Sequence, residues 1–220
     1  MKHLPLLALL LTLTFSARAQ DAGVPGQVAC ANLVYGGGKT SKCFADNFLA
    51  QVSADSGIAT TGAFEAVGSG SPELFDYPFS VMSGEGGFAL SDDEVENLRL
   101  YLTNGGFLVA SAGCSSKAWN RSFGEAVERI FPGAELKNLE VEHPVFHTVH
   151  DVASSRYKSG GERLPELRTI EHEGRVVLLW SPDGLNDTDA AGGDCCCCGG
   201  NEIKSARKLN VNILAYALTH

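Results

Sequence analysis

The chain has 220 residues and a formal net charge of −9, from 26 acidic and 17 basic side chains. No basic cluster interrupts the acidic background, so neither nucleic acid nor an anionic membrane is expected as a partner. Seven cysteines and 25 glycines are the compositional features left to explain.

Residues 1–19 read as a secretory signal peptide, with Lys2 at its basic start, an apolar stretch over 4–15 and Ala17-Arg18-Ala19 as the cleavage site. That stretch is shorter than the roughly 20 residues a membrane helix needs. No membrane span is expected, and the protein is placed in the periplasm or outside the cell. Residues 27–220 then form a single domain large enough for a full core.

An apolar strand over 28–35 ends in Gly36-Gly37-Gly38, and a helical pattern follows from about residue 41, burying Phe44, Phe48, Leu49 and Val52. A second apolar run over 77–82 again leads into glycines, Gly84, Gly86 and Gly87. Ser91 and Glu94 have the spacing of a capping box, in which each satisfies a free backbone donor of the other. The helix they open presents Val95, Leu98 and Leu102 and stops at Gly105-Gly106. A strand over 107–110 and a helix over 119–131 follow, the latter halted by Pro132-Gly133. Residues 151–166 read as an excursion loop, 168–171 and 176–180 as a hairpin, and 202–219 as a last helix capped by Asn201. Strand, glycine loop and helix in alternation predict a mostly parallel sheet with helices on both faces.

Cys195, Cys196, Cys197 and Cys198 are consecutive, flanked by Gly192-Gly193 and Gly199-Gly200. In an exported protein such thiols default to disulfides, and an odd total leaves at least one cysteine free, metal-bound or paired between chains. As soft ligands they suit zinc or copper(I). Four adjacent residues cannot wrap one ion tetrahedrally, so other ligands are required. Gly199 stands where a c-type haem motif needs histidine. Loops leaving the carboxyl ends of parallel strands converge, so Cys43, Cys114 and the 195–198 run are expected to gather there, with Cys30 at the opposite end as the odd thiol. Metal binding, reactive chemistry and two or three structural disulfides all remain open at this point.

Other motifs read more plainly. Gly38-Lys39-Thr40 imitates the end of a phosphate-binding loop, but Leu33 occupies the position that needs glycine. His143, His147 and His150 would share a helical face, yet Pro144, Val145, Thr148 and Val149 favour extended chain, so hydrogen-bonded structural roles are expected. Asp187-Thr188-Asp189 is similar to the start of a calcium loop, but Ala191 and Cys198 sit where further ligands belong.

Several segments together resemble one family. They are Tyr35-Gly36-Gly37-Gly38, Leu74-Phe75-Asp76-Tyr77-Pro78-Phe79, Met82-Ser83-Gly84, Leu90-Ser91-Asp92-Asp93-Glu94 and Leu98-Arg99-Leu100-Tyr101-Leu102 with Gly105-Gly106-Phe107-Leu108. His143-Pro144-Val145-Phe146-His147 and Asn210-Val211-Asn212-Ile213-Leu214 complete the set. The chain resembles the bacterial domain of unknown function 4159, whose fold is similar to class I glutamine amidotransferases. The resemblance implies a three-layer α/β/α, flavodoxin-like sandwich and carries no established activity.

It does suggest a role for Cys114, in Ala112-Gly113-Cys114-Ser115-Ser116 after a strand, which has the small neighbours of a nucleophile elbow. His143-Pro144 is the comparable partner, with Val145 where the orienting carboxylate would stand. The reading is therefore an exported binding or accessory module, taking a small ligand or a protein, with a soft-metal or redox cysteine site. A thiol-dependent hydrolase or transferase using Cys114 and His143 is one alternative, and a structural protein with disulfides only is another.

Overall fold

The computed structural model describes residues 26–40, 44, 47–186 and 202–220. The expected signal segment, Cys43, the 195–198 cysteines and Asn201 lie outside the described residues.

Strand β1 (Val28–Val34) buries Cys30, Ala31 and Leu33 completely. It ends in a tight turn in which Tyr35 and Lys39 exchange backbone hydrogen bonds of 2.8 and 2.7 Å. Gly36, Gly37 and Gly38 between them take φ of 55°, 80° and 100°, a region open to glycine and costly for other residues. Helix α1 (Asn47–Ser56) buries Phe48, Leu49 and Val52. Strand β2 (Thr60–Gly68) escaped the pattern analysis. It pairs only with β1 at the rim of the sheet, so most of its side chains stay wet and no apolar run marks it.

Strand β3 (Phe79–Gly84) is buried at every position. Helix α2 (Asp92–Thr103) opens on the expected capping box, with Glu94 N donating to Ser91 Oγ at 3.2 Å and Ser91 N to Glu94 Oε2 at 2.7 Å. Strand β4 (Phe107–Ala112), also fully buried, leads into α3 (Lys117–Ile130), whose inner stripe is Trp119, Phe123, Val127 and Ile130. The short β5 (Lys137–Asn138) follows. The excursion over 151–166 is an ordered ribbon, β6 (Ser155–Arg156) against β7 (Glu162–Arg163). Strands β8 (Arg168–His172) and β9 (Arg175–Ser181) form the expected hairpin, and α4 (Ala206–Thr219) closes the chain.

The main sheet has seven strands in the order β2-β1-β3-β4-β9-β8-β5. Strands β1, β2, β3, β4 and β9 run parallel, while β8 is antiparallel to its neighbours. From β1 the chain first steps outward to β2, then returns to β3 on the other side, which puts the topological switch point between β1 and β3. Two hydrophobic clusters form around the sheet. One joins α1 and α4 to Cys30, Phe79, Val81, Phe107 and Val109; the other joins α2 and α3 to Ala31, Leu33, Met82, Leu108 and Ala110. Successive strand residues thus feed opposite clusters, as pleating requires.

Candidate functional site

The central strands change character along their length. Strand β3 begins at Phe79 and ends in Ser83-Gly84, β4 runs from Phe107 to Ser111-Ala112, and β9 ends at Ser181. Alternation turns Ser83, Ser111 and Ser181 toward the α1 and α4 side. They stand in one row, since Ser83 pairs with Ser111 and Ser111 with Ser181, and all three are fully buried. Ser111 Oγ accepts from Leu185 N at 2.7 Å and donates to Asn186 Oδ1 at 3.0 Å. Ser181 Oγ accepts from Gly184 N at 3.2 Å, and Asn210 Nδ2 of α4 donates to Leu185 O at 2.8 Å. Gly184 has to be glycine, because a Cβ there would sit 2.4 Å from Ala112 O. Ser83 Oγ and Asn210 Oδ1 are buried with no hydrogen-bond partner among the described residues. Each such orphan costs about 1–3 kcal/mol.

The α2 and α3 side of the same edge is sealed by aromatic rings. Trp119 Nε1 donates to Tyr35 Oη at 2.7 Å, and Tyr35 Oη donates to Ser83 O at 2.9 Å. The Trp119 ring lies 5.7 Å from Phe88 and 5.0 Å from Phe123, which in turn is 5.3 Å from Trp180. Gly84 makes room for this: a Cβ would be 2.4 Å from Tyr35 Oη. Polar groups therefore collect on one side of the carboxyl edge and rings on the other.

The loops around this edge are tied down. Beyond its capping role, Glu94 accepts from Gly36 N at 2.8 Å and from Ser69 Oγ at 2.7 Å. Burial alone would raise its pKa, but these hydrogen bonds and those from Ser91 outweigh it and hold the carboxyl below its usual range. Past β4, Cys114 (φ 51°, ψ 35°) and Ser115 (φ 53°) both take the left-handed conformation without being glycine. Such residues cost on the order of 1–3 kcal/mol each and cluster at functional sites. Ser115 Oγ donates to Asp183 O at 2.8 Å. Tyr157 Oη donates to the Asp183 carboxylate at 2.9 Å, and the Arg163 guanidinium lies 3.4 Å over the Tyr157 ring. Burial, then the Asp183 carboxylate, pushes the Tyr157 phenol well up. These contacts dock the β6–β7 ribbon against the edge.

Of the residues singled out in the sequence, Cys114 lies at the carboxyl edge directly after β4. It is disulfide-bonded. In that state its sulfur is no nucleophile. Cys30 is a free, buried thiol that pairs with Phe79 at the amino end of β3, and burial raises it to about 12. His143 corrects the expected cysteine–histidine pair. Its ring packs 5.3 Å from that of Tyr216 in the last turn of α4, and its electrostatic neighbours are Glu171 and His220. Glu171 pairs with Val176 near the start of β9, so His143 stands by the amino edge while Cys114 stands by the carboxyl edge. His147 bonds Asp151 and Val141 O, and His150 bonds Asp55, so each of the three histidines has separate partners.

Among the described residues no group of three His, Cys, Asp or Glu side chains could hold a metal ion. The zinc or copper(I) expectation rests on Cys43, Cys195, Cys196, Cys197 and Cys198, outside them. Sequence reading missed the serine row, because single serines in apolar runs give no signal until strand register sets them side by side. It also missed Asp183 with Tyr157, which are 26 residues apart.

No helix among the described residues is long and apolar enough to cross a membrane. The model of a family described as a domain of unknown function (DUF4159) matches residues 29–218. No curated protein matches the chain.

Proposed function

We propose that this chain, which belongs to the DUF4159 family, is an exported binding module that takes a small polar ligand at the carboxyl edge of its sheet. The observation that carries this reading is the buried row of Ser83, Ser111 and Ser181, with Ser83 Oγ and Asn210 Oδ1 left without partners among the described residues. Buried polar groups are normally satisfied. An orphan hydroxyl and an orphan carbonyl oxygen both accept hydrogen bonds, which suits a ligand that donates them, such as a polyol, an amide or an amino acid.

The strand order supports a three-layer α/β/α fold of the class I amidotransferase type. Its β2-β1-β3-β4-β9 run follows the flavodoxin-like sequence of strands, in which ligands bind outside the carboxyl ends. A periplasmic or secreted setting agrees with Cys114 being disulfide-bonded. We assign the cysteines of this edge a redox role, joining the left-handed turn at Cys114 to a partner among Cys43 and residues 195–198, with soft-metal binding as the competing use of those thiols. Separation of Cys114 from His143 favours a binding module over a thiol-dependent enzyme.

Thermal-shift screening of small polyols, amides and amino acids against the oxidised and the reduced protein tests this. Stabilising ligands are expected, with the effect lost in Asn210→Leu and weakened by reduction. Absence of any such ligand, or hits indifferent to Asn210→Leu, overturns the reading. Elemental analysis and thiol counting on the same samples decide between disulfide and bound metal.

A further inference from the structure

A concavity lined by none of the serine row lies between α1, the amino end of α4 and the β6–β7 ribbon, with a volume of about 690 Å³. That is within the range of small-molecule pockets. Its lining concentrates positive charge in a chain of net charge −9: Arg156, Lys204, Arg207 and Lys208 all face it. Arg156, Lys204 and Lys208 form no ion pair among the described residues.

The two carboxylates of the lining are already engaged. Asp55 accepts from His150 Nε2 at 2.8 Å and from Gln51 Nε2 at 2.6 Å, and Glu162 accepts from Ser154 Oγ. They keep their charge, so the lining holds four cations against two carboxylates. The cations outnumber the carboxylates of the lining, and a bound anion offsets the remaining repulsion.

Two further features point the same way. Helix α4, 14 residues long, is preceded by Ser205 at its N-cap, whose side chain makes no capping hydrogen bond. Ser205 Oγ is itself buried and unpartnered among the described residues, although Ser205 N donates to Ser155 Oγ at 3.0 Å. Cations, an uncapped helix start and an orphan hydroxyl around one cavity are the complement of an anion with several acceptor oxygens.

We propose that this cavity binds a compact polyanion, a small molecule carrying phosphate or clustered carboxylate groups. The site is separate from the carboxyl edge and stands whether or not that edge binds a ligand.

Calorimetric titration of the full chain with inorganic pyrophosphate and, separately, with citrate tests it at low salt. Saturable binding of at least one probe is expected, weakening as salt rises. Tighter binding of pyrophosphate identifies a phosphate site, and tighter binding of citrate a carboxylate site. Lys204→Ala and Arg156→Ala should each weaken binding about tenfold, the loss of one charge-assisted hydrogen bond. Lys137→Ala, which removes a cation already paired with Glu171 on β8, should leave it unchanged. Lys204→Gln, which keeps the side-chain bulk, serves where the alanine variant lowers the melting temperature. No saturable heat with either probe overturns the proposal, as does equal affinity in a folded Arg156→Ala/Lys204→Ala/Lys208→Ala variant.

Discussion

The amino and carboxyl edges of the same sheet are built on different principles. At the amino edge the strands begin in aromatic and aliphatic side chains. Phe79 and Phe107 stack with ring centres 5.9 Å apart, Cys30 is buried beside them, and at the end of α4 Tyr216 stacks on His220 and meets the tilted ring of His143. At the carboxyl edge the same strands end in serines and glycines, and the backbone twice enters the left-handed region without glycine. One end gains its stability from packing, and the other gives some up to hold polar groups out of water. A left-handed residue alone does not separate the two ends, since Glu173 (φ 51°) adopts it in the β8–β9 turn. The buried hydroxyl left orphan among the described residues is what sets the carboxyl edge apart, because buried polar groups are normally paired.

Substitutions at the two ends should separate these roles. Phe107→Ala removes half of the stacked pair from a site 1% exposed, and is expected to cost about 4 kcal/mol in denaturant unfolding. Ligand binding by the surviving folded fraction should be unchanged; a binding defect at native stability would erase the distinction. Gly84→Ala comes next. The added methyl displaces Tyr35 Oη and breaks the Trp119–Tyr35–Ser83 hydrogen-bond chain, for a loss of about 2–3 kcal/mol and an altered Trp119 fluorescence.

How much of this was visible in the sequence follows from the range of the forces involved. The capping box of α2 was legible because Ser91 and Glu94 are three residues apart and their bonds are local. The β8–β9 hairpin was legible from two apolar runs around Glu173-Gly174. Strand β2 was not, since an edge strand with exposed faces carries no periodic apolar signal. Cys114 was placed correctly at a strand end by its small neighbours, but nothing local told that His143 faces the other edge. That depends on where β5 and the turn after it lead, and on the Tyr216 ring that receives the imidazole. Asn212 shows the same limit. Its Oδ1 accepts from Val149 N and His150 N while its Nδ2 donates to His150 O, an anchoring role across 62 residues that no spacing rule encodes.

Within the carboxyl edge, Ser111→Ala removes a hydroxyl with two partners, Leu185 N and Asn186 Oδ1, and is expected to cost about 1–2 kcal/mol. Glu94 adds a pH dependence. Its pKa is held below the usual carboxylate range in the folded chain, so its contribution is fully present above the unfolded value of about 4.3 and is lost as pH falls through the lower folded value. Wild type should exceed Glu94→Gln in stability at neutral pH, and the gap should begin to shrink once pH drops below the unfolded value of about 4.3. A gap that persists in acid would mean that shape, not charge, matters at this position.

Ser83→Ala is the smallest change and the sharpest test, because its expected sign is opposite to that of its neighbour. Ser83 and Ser111 are adjacent in register, equally buried and of one residue type, and differ in that Ser83 Oγ lacks a partner among the described residues. Removing an unsatisfied hydroxyl relieves a desolvation penalty and leaves almost the same volume, so the ligand-free protein should gain up to about 1 kcal/mol. The gain should vanish once a stabilising ligand is added at saturation, since wild type then has the hydrogen bond that alanine cannot make. If Ser83→Ala instead destabilises the ligand-free chain as much as Ser111→Ala does, the oxygen is satisfied by the protein itself. The carboxyl edge would then be a packed polar layer like any other, and the contrast with the amino edge would be one of composition, not of function.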